Sequence, residues 1–247
     1  MTMSTKPLQG LRIAITGGTS GLGLALVEAL LARGAAVAFV ARQAPRVEAV
    51  AARLPGTHGI AGDVSRKEEI HPLALRVTAA LGGLDVLINN ASSLGPVPLA
   101  PLADTECEEL EAALATNLLG PFRLTRALLG ALAAAAREGR PALVINISSD
   151  AATTPYPGWG AYGTSKAALL HLSRIWDQEL RPHGVRVQAI DPGDMDTPLH
   201  ALAVPDADPA GLKPPAVAAT EIVHFIAALA RREATRESRD PAPATPA

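Results

Sequence analysis

The chain has 247 residues, 48% hydrophobic and 19% charged, with a formal net charge of -2. That composition supplies a sizeable core, fits one α/β domain better than two small ones, and excludes disorder over most of the length. The balanced charge, without a Lys/Arg cluster, disfavours nucleic acid, and the lone Cys107 excludes an intramolecular disulfide and fits a reducing cytosol.

In chain order, "MTMSTKPLQG" carries no apolar leader, and a short strand "LRIAIT" follows. A Gly-rich turn then opens a helical pattern from about Ser20 to Arg33, and "AAVAFVA" is a continuous apolar strand. The alternation goes on with a helix near Arg46 to Leu54, strand "HGIAGD", a helix near Arg66 to Leu81 and strand "LDVLIN". After these come a helical region from about Asp104 to Arg137, strand "ALVINIS", a helix from about Tyr162 to Leu180, and strand "VRVQAI". The apolar run near "ALLGALAAAA" reads as too short to span a bilayer, so a soluble, cytoplasmic protein without a membrane partner is expected. A last helical pattern, "TEIVHFIAALARRE", closes a domain expected over residues 1–231, and residues 232–247, with "SRDPAPATPA", read as a disordered tail.

Apolar strands separated by helices imply a parallel sheet covered on both faces. Right-handed crossovers make it a doubly wound, Rossmann-type α/β sheet, with the ligand crevice at the C-terminal strand edge. The polar clusters fall at that edge.

"TGGTSGLG" follows the first strand and opens the first helix. Gly17, Gly21 and Gly23 remove side chains where the chain turns and where backbone approaches a pyrophosphate. Thr19, Ser20 and Leu22 between them share the helix N-terminus, whose free N–H groups favour an anion. A ligand-free strand-to-helix turn is the bland alternative. At the end of the second strand, "FVARQ" has Ala41 where an acid selecting NAD usually stands, and Arg42 next. Arg42 either pairs with a 2′-phosphate, favouring NADP over NAD, or is a solvated surface charge. Asp63 and Val64 in "GDVS" either hold an adenine, or Asp63 merely caps the helix that follows. Six scattered histidines show neither His-x-x-x-His nor Glu-x-x-His spacing, so no metal is expected.

"TGGTSGLG", "GDV", "NNAS", Asn117 in "ATNLLGPF", "INISS", "YGTSK" and "DPGDMDT" stand in one order from about Leu8 to Leu199. In this the chain resembles the short-chain dehydrogenase/reductase family. Tyr162 and Lys166 lie one helical turn apart and share a face. Lowering the phenol's pKa by roughly 3 units needs about 4 kcal/mol. A cation about 4 Å away supplies that much at an effective dielectric near 20, so Lys166 is expected to make Tyr162 a usable acid/base near neutral pH. The same lysine suits the nicotinamide ribose hydroxyls. Ser149 lies thirteen residues before Tyr162, which matches the family's spacing, and is expected to hold the substrate oxygen, with Ser148 a backbone-bonding neighbour.

By the resemblance, Asn117 holds a water linking Lys166 to solvent; the alternative is a polar residue bonded to the main chain that kinks its helix. Asn89 and Asn90 are expected to fix the fourth strand's edge near the cofactor. Pro192, Gly193 and Thr197 of "PGDMDT" are expected at the nicotinamide carboxamide. Three departures stand out: Ser92 where the family usually has glycine, Asp191 where a neutral residue is common, and no seventh strand. That strand helps build the family's tetramers, so six strands and a homodimer through the helices bearing Asn117 and Lys166 are expected.

The segment "PLHALAVPDADPAGLKPP" is expected to cover the pocket as a mobile lid, with Asp206 and Asp208 against Lys213 disfavouring a strongly anionic substrate. Tyr156 and Trp159 either line the pocket or pack. The resulting expectation is an NADP-preferring oxidoreductase that interconverts a small-molecule ketone or aldehyde and an alcohol. The alternatives are an NAD-dependent alcohol or sugar dehydrogenase, and a non-enzymatic, NADP-sensing binding protein.

Overall fold

Apolar strands buried on both faces build the sheet that the sequence pattern implies. The computed structural model describes residues 8–237. Strands β1 (Arg12–Thr16), β2 (Ala36–Ala41), β3 (Thr57–Ala61), β4 (Val86–Asn89), β5 (Leu143–Ile147) and β6 (Arg186–Ile190) form one sheet of six in the order β3-β2-β1-β4-β5-β6. Every pairing is parallel, with Thr16 beside Val40 and Asn89 beside Asn146 at the carboxyl ends. The helices are α1 (Gly21–Ala32), α2 (Ala44–Arg53), α3 (Ile70–Leu81), α4 (Cys107–Leu114), α5 (Gly120–Arg137), α6 (Gly160–Leu180), α7 (Pro198–Ala203) and α8 (Pro215–Glu237).

Side chains alternate across the sheet, so each strand feeds two cores. Ile13, Ile15, Val37 and Phe39 pack with Leu26 and Leu30 of α1 and Ile222 and Ile226 of α8. Ala14, Ala38 and Val40 pack on the other face with Leu73 and Val77 of α3 and Leu124 and Leu128 of α5. Each fully buried Leu, Ile or Phe contributes roughly 1.5–3 kcal/mol, which is why strands without a polar face are stable here. A polar chain crosses this interior: Asn89 Nδ2 donates to Asn146 Oδ1 (2.8 Å), Asn146 Nδ2 to Ser173 Oγ (2.8 Å), and Ser173 Oγ to the Leu169 carbonyl (2.6 Å). It ties β4 and β5 to α6, so Asn89 is a structural tie below the strand edge.

The chain runs from β1 outward through β2 and β3, then crosses to β4 on the other side of β1. The carboxyl ends of β1 and β4 therefore flank the point where the strand order reverses, the place a doubly wound sheet leaves a crevice.

Three expectations change. The region from Asp104 to Arg137 is not one regular helix: α4 passes into a π turn over Ala115–Leu119 before α5 begins. The helical stretch Cys107–Arg137 spans 31 residues and is apolar enough by length and composition to cross a bilayer, so the expectation of too short a run does not hold. In this fold Leu124, Leu128 and Leu132 of that stretch are buried against the sheet, and it serves as a covering helix. Finally, α8 continues through Glu237, six residues beyond the expected domain end at 231; the rest of the expected tail, 238–247, lies outside the described residues.

Candidate active site

The turn between β1 and α1 is held by the end of β4. Thr16 Oγ1 accepts from the main-chain N–H groups of Asn90 and Ala91 (3.0 Å each), and Asn90 Nδ2 donates to the carbonyls of Thr16 (2.9 Å) and Gly17 (3.3 Å). Glycine is required within it: Gly17 has φ +73°, and a Cβ on Gly23 would lie 2.0 Å from the Gly17 carbonyl oxygen. Ser20 stands at the start of α1 in extended conformation, and its side chain does not cap the helix. The first-turn N–H groups are left for an outside acceptor. Thr19, Ser20, Gly21 and Leu22 line a cleft of about 630 Å³ here.

Arg42 lines the same cleft and is exposed, and so does Arg46 in the first turn of α2, which sequence reasoning missed. No acid stands at the end of β2, where the residue is Ala41. Asp63 and Val64 line the cleft beyond them. Asp63 does not cap a helix: its Oδ1 accepts from the N–H (2.9 Å) and hydroxyl (2.8 Å) of Ser65, and its own N–H donates to Glu69 Oε2 (2.8 Å). Oriented amides, then two guanidiniums, then a carboxylate over an apolar floor suit a pyrophosphate, a phosphorylated ribose and a base in that order.

At the other end, α6 presents a buried stripe that includes Tyr162, Ser165, Lys166 and Leu169. Lys166 is 2% exposed; its Nζ donates to the Ile147 carbonyl (2.8 Å) and lies 5.4 Å from the centre of the Tyr162 ring. Burial pushes the Lys166 ammonium down to about 8, against an upward pull from Asp191. Burial pushes the Tyr162 phenol up to about 12; Ser149 and Ser92 hydrogen bonds pull it down, while Asp191 and Asp150 add to the rise. The expected lowering of Tyr162 by Lys166 is thus reversed within the chain's own electrostatics. The lysine gives up its proton before the phenol does, and near neutral pH the pair is a proton donor beside a cation.

Ser149 Oγ donates to Asp150 Oδ1 (3.0 Å) and accepts from the Ala151 N–H (3.2 Å), while the Tyr156 hydroxyl donates to Asp150 Oδ2 (2.7 Å). Ser148 bonds the Ile190 carbonyl through its N–H (2.7 Å) as expected of a backbone-bonding neighbour, yet its hydroxyl is buried without a partner. Asn117 sits in the π turn and is 1% exposed. Its amide donates to the Ser93 carbonyl (2.7 Å) and Ser165 Oγ (2.8 Å), and its Oδ1 accepts from the Ser93 N–H (2.8 Å) and Ser92 Oγ (3.2 Å). Its side chain is saturated by protein, so of the two alternatives the main-chain bond describes it.

Pro192, Gly193 and Thr197 line the cleft after β6. Thr197 Oγ1 accepts from the His200 N–H (3.2 Å) and caps α7, and Asp191 Oδ1 accepts from the Gly193 N–H (2.9 Å). The lid is closed at its base by backbone bonds, Asp196 N–H to the Lys213 carbonyl (3.1 Å) and Lys213 N–H to the Asp194 carbonyl (3.0 Å). Leu199, Leu202 and Val204 from it reach the cleft; Asp206 and Asp208 do not, and Asp208 instead accepts from the Ala210 N–H (3.0 Å). Tyr156 and Trp159 both line the cleft, Trp159 edge-on to Tyr162 at 5.6 Å between ring centres. Every residue singled out from the sequence for catalysis or cofactor binding, save Asn117, lines this one cleft.

Residues 12–208 match the family model for short chain dehydrogenases. The 2,5-dichloro-2,5-cyclohexadiene-1,4-diol dehydrogenase of Sphingobium indicum is 34% identical over 84% of this chain and 80% of its own length. The serine 3-dehydrogenase of Rhizobium radiobacter is 36% identical over 75% of this chain and 72% of its own length. A short chain dehydrogenase of Pseudocercospora fijiensis is 35% identical over 78% of this chain, which spans 62% of that relative. Among solved structures, the 3-ketoacyl-(acyl-carrier-protein) reductase of Brucella melitensis, complexed with NADH, superposes with a TM-score of 0.82 at 27% identity, covering 89% of this chain and 91% of that one. A short chain dehydrogenase of Burkholderia cenocepacia in complex with NADP gives a TM-score of 0.78 at 28% identity, covering 90% and 91%. The glycine-rich β1–α1 turn, the Ser149, Tyr162 and Lys166 cluster and the six-stranded sheet thus sit on a chain that belongs to the short-chain dehydrogenase family of NAD(P)-dependent oxidoreductases.

Proposed function

We propose that the protein is an NADP-preferring oxidoreductase that reduces a small ketone or aldehyde, or oxidises the corresponding alcohol. The observation that carries this reading is the pairing, in one cleft, of Arg42 and Arg46 near the phosphate-binding turn with Tyr162, Ser149 and Lys166 at the far end. The dinucleotide, when bound, donates or accepts the hydride.

The chain's own residues do the rest. The amides of the β1–α1 turn hold the pyrophosphate, Arg42 and Arg46 meet a 2′-phosphate, and Asp63 and Val64 bracket the base. Tyr162, held protonated near neutral pH, gives its proton to the substrate oxygen in reduction and takes it back in oxidation. Ser149 steers that oxygen: with its own proton on Asp150 it offers lone pairs to an alcohol, and rotation of the hydroxyl supplies a donor to a carbonyl. Lys166, fixed by the Ile147 carbonyl, holds a positive charge beside the phenol and would help hold the ribose hydroxyls of a bound dinucleotide. The π turn at Asn117 opens the route by which the proton is replaced from solvent. The assembly we propose is a single-domain cytoplasmic homodimer formed through the α4–α5 stretch and α6.

A second reading, NAD-dependent oxidation of an alcohol or sugar, draws on the relatives' names, among them the L-fucose dehydrogenase of Bos taurus at 33% identity over 85% of this chain. Dissociation constants for NADP and NAD, followed by NADPH oxidation over a panel of carbonyl compounds, test the two. Tighter NADP binding with turnover supports the first; a preference for NAD sinks it.

A further inference from the structure

Charge is divided along the cleft. Arg42, Arg46 and Asp63 stand at the dinucleotide end, whereas Asp150, Asp191 and Asp194 line the catalytic end together with His200. The lysine at that end, Lys166, is buried and already committed to the Ile147 carbonyl. Asp150 and Asp191 come from the ends of β5 and β6 and are exposed to the cleft. Both act on the reacting groups, Asp191 raising Tyr162 and Lys166 and Asp150 raising Tyr162. Asp191 is one of the departures from the family's usual pattern, and nothing in the reaction described above uses it.

A second feature is independent of these carboxylates. Ser148 is 5% exposed, its hydroxyl has no hydrogen-bond partner, and it lines the same cleft. Ser149 Oγ donates to Asp150 and accepts from the Ala151 N–H, which leaves it one lone pair. The catalytic end therefore holds an unpartnered hydroxyl and an excess of negative charge, with the aromatic faces of Tyr156 and Trp159 beside them. The complementary ligand is rich in proton donors and positively charged.

We propose that the substrate carries a protonated amine next to its reacting carbon, a small amino alcohol or the matching amino ketone, with the ammonium seated against Asp150 and Asp191. This rests on the oxidoreductase reading and narrows it. A neutral polyol would satisfy the acceptors but leave the charge unmatched, and a carboxylate would meet Asp150 and Asp191 head-on.

The test is equilibrium binding to Tyr162→Phe protein loaded with NADP, followed by ligand-observed NMR, so that turnover plays no part. Three ligands share the centre CH3–CH(OH)– and differ in one substituent: 1-amino-2-propanol, 1,2-propanediol and lactate. The amine is expected to bind about tenfold tighter than the diol, with lactate weakest, since one tenfold step corresponds to a single well-placed charge pair. In the Asp150→Asn/Asp191→Asn background the preference should collapse to within about threefold. An amine that binds no tighter than the diol or lactate overturns the proposal, as does an amine that does not bind, or a preference that survives loss of both carboxylates. Calorimetry of NADP binding comes first. Failure there, with NAD failing as well, refutes the oxidoreductase reading itself and takes this proposal with it, whereas dinucleotide binding without amine preference refutes this proposal alone.

Discussion

Replacing Lys166 with methionine should change how stability depends on pH more than it changes stability at any one pH. The ammonium is held at about 8 in the folded protein against an ordinary 10.5, because burial penalises its charge. Below about pH 8 the folded and unfolded chains both carry the proton, and the penalty is full. Between about 8 and 10.5 the unfolded chain keeps a proton that the folded chain has lost, so stability rises with pH. Above 10.5 neither carries it and the penalty is gone. At 1.36 kcal/mol per pKa unit the whole change is roughly 3 kcal/mol. Methionine is one atom shorter than lysine and carries no charge, but leaves the Ile147 carbonyl short of its donor, at a cost of about 1–3 kcal/mol at every pH. Urea denaturation of both proteins, at matched concentration and without added dinucleotide, should show wild type gaining about 3 kcal/mol on the variant from pH 7 to pH 10.5. The rise of Tyr162 acts in both proteins and cancels in the difference. A stability difference that stays flat over this range would refute the claim that Lys166 is buried as a strained cation.

Tyr162→Phe should bind NADP with unchanged affinity in calorimetry while reduction slows by roughly 10²–10⁴-fold, the usual contribution of a positioned acid; retained turnover would remove Tyr162 from the reaction. Arg42→Ala and Arg46→Ala should each weaken NADP binding by about tenfold or more, the loss of one charge-assisted hydrogen bond, and leave NAD binding alone; equal losses for both dinucleotides would show that these guanidiniums do not read the 2′-phosphate. Gly23→Ala sets a methyl against the Gly17 carbonyl, so the turn must open: dinucleotide binding should vanish and the melting temperature fall, by about 1–3 kcal/mol of overpacking. Away from the cleft, Asp177 accepts from Arg181, Arg186 and the Val187 N–H; despite burial, which raises it, these donors hold its carboxyl down at about 2. Its contribution is complete above the ordinary value of 3.8 and lost as pH falls toward 2, so acid unfolding of wild type should steepen there while that of Asp177→Asn does not.

The sheet was legible because its inner strands are largely apolar, a pattern that a layer covered on both faces sustains, and Ile13 to Phe39 pack as that pattern implies, while edge strands β3 and β6 carry His58, Arg186 and Gln188. The tight β1–α1 turn was legible because glycine has no substitute at Gly23. What the sequence concealed depends on packing. One extra residue in a helical turn leaves apolar periodicity nearly intact, so the π turn at Ala115–Leu119 was hidden within one helical stretch. Arg46 reads as an ordinary exposed charge on the first turn of α2 until the cleft is seen beside it. The direction of the Tyr162 shift is opposite to the expected one because spacing conveys separation along a helix and nothing of burial, which raises the phenol here. Ser92 could have been anticipated as a partner of Asn117 only by knowing that the β4 end folds back onto the π turn.

The uneven charge also bears on how a dinucleotide enters. Turned end for end, its phosphates would lie among Asp150, Asp191 and Asp194, and each like-charge contact near 4 Å costs about 1 kcal/mol even at the dielectric of water. In the expected orientation the phosphates meet Arg42, Arg46 and the open N–H groups of α1, and the far end meets carboxylates. Burial does most to raise the Tyr162 phenol, and Asp191 and Asp150 add to it while favouring positive charge beside it, so features that would orient the cofactor also help keep Tyr162 a proton donor at neutral pH. Neutralising Asp191 weakens both effects together. Asp191→Asn should therefore lower the pH at which Tyr162 ionises, read by ultraviolet difference titration of the tyrosinate, and an unchanged titration would separate the acid's position from the phenol's chemistry.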